Sequence, residues 1–442
     1  MNQLPLGKKI SYSLGGFALN IANLAISQWL MKLYVPSLDS ALISPFLFSL
    51  IFLLGRVTDG ITEPLIGYIS DNFRSKRGRR MPFIIGAVVP VALVSFLLWV
   101  PPFPHQYHWI NGVYVFIMVQ LFFILWSTLA NPYMSLLPEI TNDLKERVNI
   151  STMQAGFIML GTLVFGAMGP VKEAFGFKGI GVVVFAATII AFLPTIIFIK
   201  QKPSNDESVS KEKFRLLNIF SWARTTFKNK PFVHLLMATS LYWFALNMII
   251  LLIPFWSENI LHITDDKVIF LMIPILAANI LFFFVFNVCA HRFGKYITFL
   301  VVLGGSAVAM PLLVLVGVFQ IGTAMFETQC VLAIFGIFMS GFLMLPMALF
   351  ADVVDYDEKL TGFRREGIYF GVQSIFQKIS IGFSVALAGT LMYAGGQNKP
   401  TEFGLKGIAI AAGICAVLAF IAFLRYPLRD KDGVITEKNK RI

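Results

Sequence analysis

Charge is what this sequence has least of. Asp, Glu, Lys and Arg make up 14% of 442 residues, against about a quarter in soluble globular domains, and that shortfall excludes an ordinary soluble protein. Histidine is almost as scarce. His105, His108, His234, His262 and His291 are scattered along the chain, with no spacing that would gather them at a metal or a catalytic centre. Cys289, Cys330 and Cys415 show no C-x-x-C spacing; they carry no redox signature and read as packing residues. P-loop, H-E-x-x-H and G-x-S-x-G runs are all missing. Their absence argues against an enzyme and against nucleotide-driven work within this chain. No cofactor is expected.

What the chain has instead is apolar length. At 57% hydrophobic residues, it falls into twelve apolar blocks near 10–34, 41–70, 81–101, 110–137, 149–171, 179–199, 232–257, 267–290, 296–317, 328–351, 367–393 and 405–425. A block of about 20 residues spans a hydrocarbon core of about 30 Å as a helix. A lone segment in lipid must satisfy its own backbone hydrogen bonds, so each block is read as a helix and the fold as an all-α membrane protein. The first block is too long for a signal-peptide core and lacks a clear cleavage site.

The net charge of +12 is a membrane signal, not a nucleic-acid one. With the N-terminus inside, the basic runs at 74–80, 200–230 and beyond Arg425 all fall inside. Only Lys32, Lys172, Lys178, Lys267, Lys399 and Lys406 fall outside, and Arg56 and Lys378 fall within blocks. This bias predicts a multi-pass protein of the cytoplasmic (inner) membrane with both termini inside. The polar stretch 200–230 divides the helices six and six. The predicted organisation is an N-terminal half (1–199), a cytoplasmic linker (200–230), a C-terminal half (231–425) and a cytoplasmic tail (426–442). Apolar residues at helical spacing between Phe214 and Phe227 suit either a helix lying on the inner leaflet or a solvated linker. A weak repeat relates the halves: Gly67 to Asp71 and Arg77 to Arg80 follow the second block, and His291 to Lys295 follow the eighth. Two six-helix halves related by an axis along the membrane normal would produce it.

The stretch "LLGRVTDGITEPLIGYISDNFRSKRGRR" places Arg56, Asp59 and Glu63 within the second block. Spacings of three and four put them on one helix face. An ionised group facing lipid costs about 2.5–3.5 kcal/mol, so that face turns inward. Arg56 balances Asp59; Glu63, just before Pro64, is a second carboxylate. With Thr62 these oxygens suit a cation, whether Na⁺ or a proton; the alternative is an ion pair that only locks helix packing. Helix 1 carries a polar stripe of Asn20, Asn23 and Ser27, which reads equally as substrate contact or as helix–helix glue. Helix 4 offers Ser127, Thr128 and Asn131. Helix 11 offers Gln373, Ser374, Gln377 and Lys378, the lysine too deep in its block to snorkel easily.

Taken together, "GRVTDGITEPLIGYISDNFRSKRGRRMPFI", "NPYMSLLPEITNDLKER", "NKPF" and "LFADVVDYDEKLTGFRREGIYFGVQSIFQK" resemble the glycoside–pentoside–hexuronide:cation symporter family of the major facilitator superfamily, over nearly the whole chain. The resemblance implies a major facilitator fold. It also implies a coupling-cation site at Asp59 and Glu63 assisted by Thr62, Ser127 and Thr128, with Lys378 close to both cation and substrate. Candidate substrate contacts are Asn20, Asn23, Arg56, Asn131, Gln154, Gln373, Gln377 and Lys378. Three departures stand out. Glu63 replaces the family's aspartate, which favours H⁺ without excluding Na⁺. The helix 1 acid of the family's galactoside carriers is Asn20, and the Gly-Asp many relatives carry earlier in that helix is Gly15-Gly16. In helix 4 a second sugar-binding acid falls on Ala130, and an arginine expected early in helix 5 is Gln154. The coupling residues are kept while the sugar-recognising acids are gone.

Cation-coupled symport of a sugar, glycoside, uronide or similar polar solute by alternating access is therefore expected, with H⁺ or Na⁺ as the coupling ion. The alternative is a carrier of an amphipathic substrate such as a lysolipid, because the fold family resembles lysolipid carriers and the chain holds 44 Phe. A transport-fold sensor is the remaining possibility. The expected partners are a small-molecule substrate and the bilayer, with no nucleic acid, in a monomer. Gating is expected from Asp71, Arg77, Arg79 and Arg80, the basic loop pairing with Asp352, Asp355, Asp357 and Glu358 of the other half. Exposed pairs are worth only about 0–1 kcal/mol each, so such a latch needs a network.

Overall fold

A computed structural model describes residues 4–104, 106–141, 143–201, 226–318, 322–362, 366–393, 399–431 and 434–437. The linker segment Phe214 to Phe227, read above as a candidate interfacial helix, lies almost wholly outside them. Among the described residues the helices are α1 (Leu6–Tyr34), α2 (Pro45–Asn72), α3 (Met81–Leu97), α4 (Trp109–Met134), the single turn α5 (Leu137–Ile140), α6 (Leu144–Gly166) and α7 (Met168–Phe198). After the linker come α8 (Lys230–Asn259), α9 (Ile269–Phe293), α10 (Lys295–Ala309), α11 (Ala324–Thr361), α12 (Glu366–Met392) and α13 (Glu402–Leu424). Eleven helices are long and apolar enough to cross a membrane, and the 17-residue α3 makes the twelfth apolar helix. The chain divides into two compact units, Met1–Lys213 with Thr264–Asp266, and Phe214–Ile263 with Lys267–Ile442.

Helix ends follow local chemistry. Ser44 accepts from the Leu47 N–H with Pro45 in the first turn, and Asn229 accepts from Phe232 ahead of α8, with Pro231 in its first turn. These are N-cap side chains followed by prolines whose missing N–H costs nothing in a first turn. α11 runs past its apolar block to Thr361 and ends at Gly362 with φ +74°, the left-handed C-cap that glycine adopts without strain. Asp352, Asp355 and Asp357 consequently stand on a helix, not in a connecting loop. α7 is broken at Gly176, with φ +67°. The tail departs from the all-α expectation: β1 (Leu428–Lys431) pairs antiparallel with β2 (Val434–Glu437).

In the first unit α1 packs on α6 and α7, α2 on α4, and α3 on α4 and α7; in the second, α8 packs on α13 and α12, α9 on α11, and α10 on α11 and α13. Gly55 sets the α2–α4 approach. A Cβ there would lie 2.6 Å from Val119 Cγ1 and 2.7 Å from the Phe123 ring. Gly55→Ala is expected to cost about 1–3 kcal/mol by overpacking, read as a lowered thermal midpoint of the purified protein; an unchanged midpoint would show that α4 yields freely.

One pH effect follows from the start of the chain. Glu146 accepts from the Leu4 N–H at 3.0 Å and pairs with Lys9 at 2.8 Å. The Lys9 contact first, then the Leu4 N–H, hold its carboxyl below the ordinary carboxylate range. A depressed folded-state value stabilises above the unfolded carboxylate's pKa, and that contribution disappears as pH falls through the folded value. Midpoints of the wild type and Glu146→Gln are expected to differ at pH 7 and to converge as pH falls through that depressed value. A gap that persists in acid would contradict the ion pair.

Candidate functional site

Two of the three ionisable groups Arg56, Asp59 and Glu63 on α2 are buried. Asp59 is 1% exposed and Arg56 5%. Ser127, from α4, donates to Asp59 Oδ1 at 2.7 Å. Thr62 Oγ1 lies 3.0 Å from Ser127 Oγ and 2.9 Å from the Thr58 carbonyl, its other acceptor one turn back. A carboxylate and two hydroxyls thus converge from two helices at a buried point. Glu63, one turn beyond Asp59, is half-buried, and its carbonyl accepts from Asn131 Nδ2 at 3.1 Å. Thr128 bonds back to the Ile124 carbonyl, so of the two adjacent α4 hydroxyls it is Ser127 that reaches Asp59.

Arg56 makes its hydrogen bonds to helix 1. Its Nη2 donates to Ser27 at 2.8 Å and reaches Asn23 Oδ1 at 3.4 Å. Its guanidinium lies 4.8 Å from the Phe123 ring centroid and 5.2 Å from that of Phe52, a desolvated cation between aromatic faces. The attraction between Arg56 and Asp59 is coulombic across one helical turn. With one arginine and two carboxylates, the face of α2 is net negative by formal charge when both acids are ionised.

Asn20 and Gln154 both make hydrogen bonds within the first unit. Asn20 Nδ2 donates to the Ile158 carbonyl at 2.8 Å and to Thr162 Oγ1 at 2.7 Å, the glue reading of the helix 1 stripe. Gln154 donates to the Tyr133 hydroxyl at 3.1 Å. Tyr133 and Tyr12 stack at 4.7 Å and donate to each other's backbone carbonyls. A Cβ at Gly15 would lie 2.6 Å from the Tyr133 ring, and one at Gly16 2.9 Å from Gln154 Cγ. The departures at Gly16 and Gln154 are therefore coupled: the space that an aspartate would need at Gly16 holds the glutamine.

In the basic loop, Arg80 donates to Asp71 at 2.7 Å and to Glu139 at 2.7 Å, and Arg79 reaches Glu139 at 2.8 Å. Gln201 donates to Glu139 and accepts from the backbone N–H groups of Arg80 and Met81. Arg77 has its backbone N–H on Ser75. Two of the loop's arginines are thus engaged by acids of their own unit, and Glu139 and Gln201 were not anticipated as members of this network. In the second unit Asp352 pairs with Lys295, Asp357 is buried and Asp355 half-buried. Gln373 Nε2 reaches Gln377 Oε1 at 3.4 Å on α12, where Lys378 is half-buried.

Among the described residues, twelve apolar helices in two units define the class: a multi-pass membrane protein. A crystal structure of the nucleoside transporter NupG matches with a TM-score of 0.66 at 15% identity, covering 96% of this chain and 100% of that one. Residues 11–430 match the family described as MFS/sugar transport protein, and the chain belongs to that family. Among its relatives is an isoprimeverose transporter of Lactiplantibacillus pentosus, 24% identical over 89% of this chain and 81% of the relative. Another is the sodium-dependent lysophosphatidylcholine symporter 1 of Mus musculus, 25% identical over 97% of this chain and 87% of the relative.

Proposed function

We propose that this transporter is a cation-coupled symporter of a polar organic solute of the sugar, glycoside or uronide class. The observation that carries the reading is the buried Asp59 with the Ser127 and Thr62 hydroxyls beside it. An oxygen donor set with a carboxylate suits Na⁺, and a buried carboxylate beside a second one suits a proton. The net negative formal charge of the α2 face draws a cation to this point. Binding of that cation reduces the charge that must be carried through a low-dielectric setting, and so favours reorientation of the loaded carrier. Asn23, Arg56 and Asn131 flank the cluster and are the substrate contacts this unit offers; Gln373, Gln377 and Lys378 are those of the second unit. Both termini are assigned to the cytoplasmic side of an inner membrane, following the positive-inside bias.

The isoprimeverose relative supports a saccharide-type substrate, and the lysophosphatidylcholine relative keeps an amphipathic substrate as the second reading. A thermal-shift screen of purified protein against sugars, uronides and lysolipids, each with and without Na⁺, separates them, because a ligand of the folded state raises the midpoint by mass action. A sugar-class hit is expected, and response to lysolipids alone would overturn the solute assignment. Ser127→Ala is expected to shift the cation concentration for half-maximal stabilisation about tenfold, upward for Na⁺, which loses an oxygen ligand, and downward for H⁺, because the carboxylate loses a donor that favours its charged form. An unchanged value would remove Ser127 from the site.

A further inference from the structure

One cavity lies far along the chain from Asp59, within the second unit. It has a volume of about 890 Å³ and is formed where α9 ends, α10 begins and the tail strand β1 passes. Four basic residues line it, His291, Arg292, Lys295 and Arg429, and no Asp or Glu is among the described residues that do. α11 closes one side with the apolar Met344, Leu345 and Ala348.

Two of these residues have an ordinary explanation. His291 and Arg292 occupy the last turn of α9, where the helix dipole favours positive charge. Lys295 and Arg429 stand instead at the start of a helix. Lys295 is the first residue of α10, and Arg429 lies with its Cζ 3.3 Å from the ring centroid of Tyr296, the second residue. The start of a helix is its positive end, so cations gathered there repel the dipole as well as each other. Asp352 offsets one of them by pairing with Lys295. α10 has no side-chain cap; Gly294, with φ +85° and ψ 154°, serves as its N-cap, a conformation open to glycine alone among common residues. The described lining of the cavity carries basic side chains and no carboxylate, a surface suited to an anion, and the cavity has room for one.

The surroundings identify the anion's carrier. Ile297, Val301 and Val308 leave α10 with an apolar face, each at least 54% exposed, and Phe293 beside the cavity is 55% exposed. A cationic recess at the end of membrane helices, with an apolar stripe running away from it, matches a phosphate headgroup above its acyl chains. We propose that this cavity binds a phosphate group, presented to it by an anionic phospholipid of the leaflet in which the α9–α10 turn lies. The site is separate from the transport site and stands whether or not Asp59 binds a cation. Under the positive-inside reading this is the cytoplasmic leaflet, where anionic lipids concentrate.

The test is the thermal midpoint of the purified full-length protein in detergent, titrated in parallel with phosphatidylglycerol, phosphatidylcholine and inorganic phosphate. Phosphatidylglycerol is expected to raise the midpoint well above phosphatidylcholine. Arg292→Gln/Arg429→Gln is expected to need at least about tenfold more phosphatidylglycerol for the same shift, a change of about 1.4 kcal/mol. Ala348→Trp, which fills the cavity without touching a charge, provides the second readout if the double variant folds poorly, and should blunt the response equally. Lys406→Gln, on α13 outside the cavity, should leave it intact. A shift by inorganic phosphate that the variants abolish would confirm the phosphate site and assign it to the free anion instead of the lipid. Equal shifts by the two lipids, or a phosphatidylglycerol response that survives in both cavity variants, would overturn the proposal.

Discussion

Asp59→Asn is expected to abolish accumulation of substrate against its gradient while leaving the protein folded. The amide still accepts from Ser127, and Arg56 keeps Ser27, Asn23 and its two ring faces, so the α1–α2–α4 packing has no reason to collapse. What disappears is the charge that a cation would neutralise. Coupling is a free energy shared between two binding events; without the cation's site the accumulation ratio in proteoliposomes should fall to about 1, while exchange of substrate at equal concentrations continues. Undiminished accumulation by the variant would remove Asp59 from coupling. Loss of both accumulation and exchange in a well-folded variant would make Asp59 a substrate ligand or a structural charge.

The second large effect lies at the C-terminal end of α1. Lys32, 3% exposed, ion-pairs with Asp265 at 2.5 Å, and Lys172 reaches the same carboxylate at 2.7 Å. Asp265 belongs to the three-residue segment Thr264–Asp266 that packs with the first unit, and Gly169 admits its backbone so closely that a Cβ would collide with the Asp265 carbonyl. Removing one member of a buried ion pair typically costs about 3–5 kcal/mol, because the other charge stays buried and uncompensated. Asp265→Asn is expected to destabilise by that order, and Lys32→Met in the same chain should recover a large part of it. Thermal midpoints of the two single variants and the double variant form the cycle. An Asp265→Asn protein as stable as the wild type would show that the carboxylate does not compensate Lys32.

These two clusters differ in how far the sequence announced them. Arg56, Asp59 and Glu63 repeat at helical spacing inside an apolar block, and the cost of charge in lipid turns that face inward whatever the neighbours are. The partner was harder. Ser127 and Thr128 are adjacent, and a helix presents neighbouring residues about 100° apart, so spacing within α4 cannot decide which one meets α2; the helix crossing does. The same limit explains the helix 1 stripe. Asn20, Asn23 and Ser27 share a face by spacing, yet Asn20 meets α6 while Asn23 and Ser27 meet Arg56, because a stripe one face wide borders two neighbouring helices. The Lys32–Asp265 pair joins residues 233 positions apart, and a single Lys near a helix end carries no periodic signal. Gly362 after Lys359 is a legible C-cap, and it would have extended α11 past the end of its apolar block. Glu139 and Gln201 had no such mark: Glu139 sits in a single helical turn and Gln201 lies in the polar stretch after α7, where no spacing singles it out.

The claim on which the account turns is that the Asp59 cluster binds the coupling cation. Its most direct test is the thermal midpoint of purified wild type and Asp59→Asn, measured across Na⁺ concentration at fixed pH and across pH without Na⁺. The account predicts that the wild type responds to one of the two titrations and that the variant loses that response, a Na⁺ response naming Na⁺ as the coupling ion and a pH response naming the proton. A wild type whose Na⁺ and pH responses are both reproduced by Asp59→Asn would contradict it.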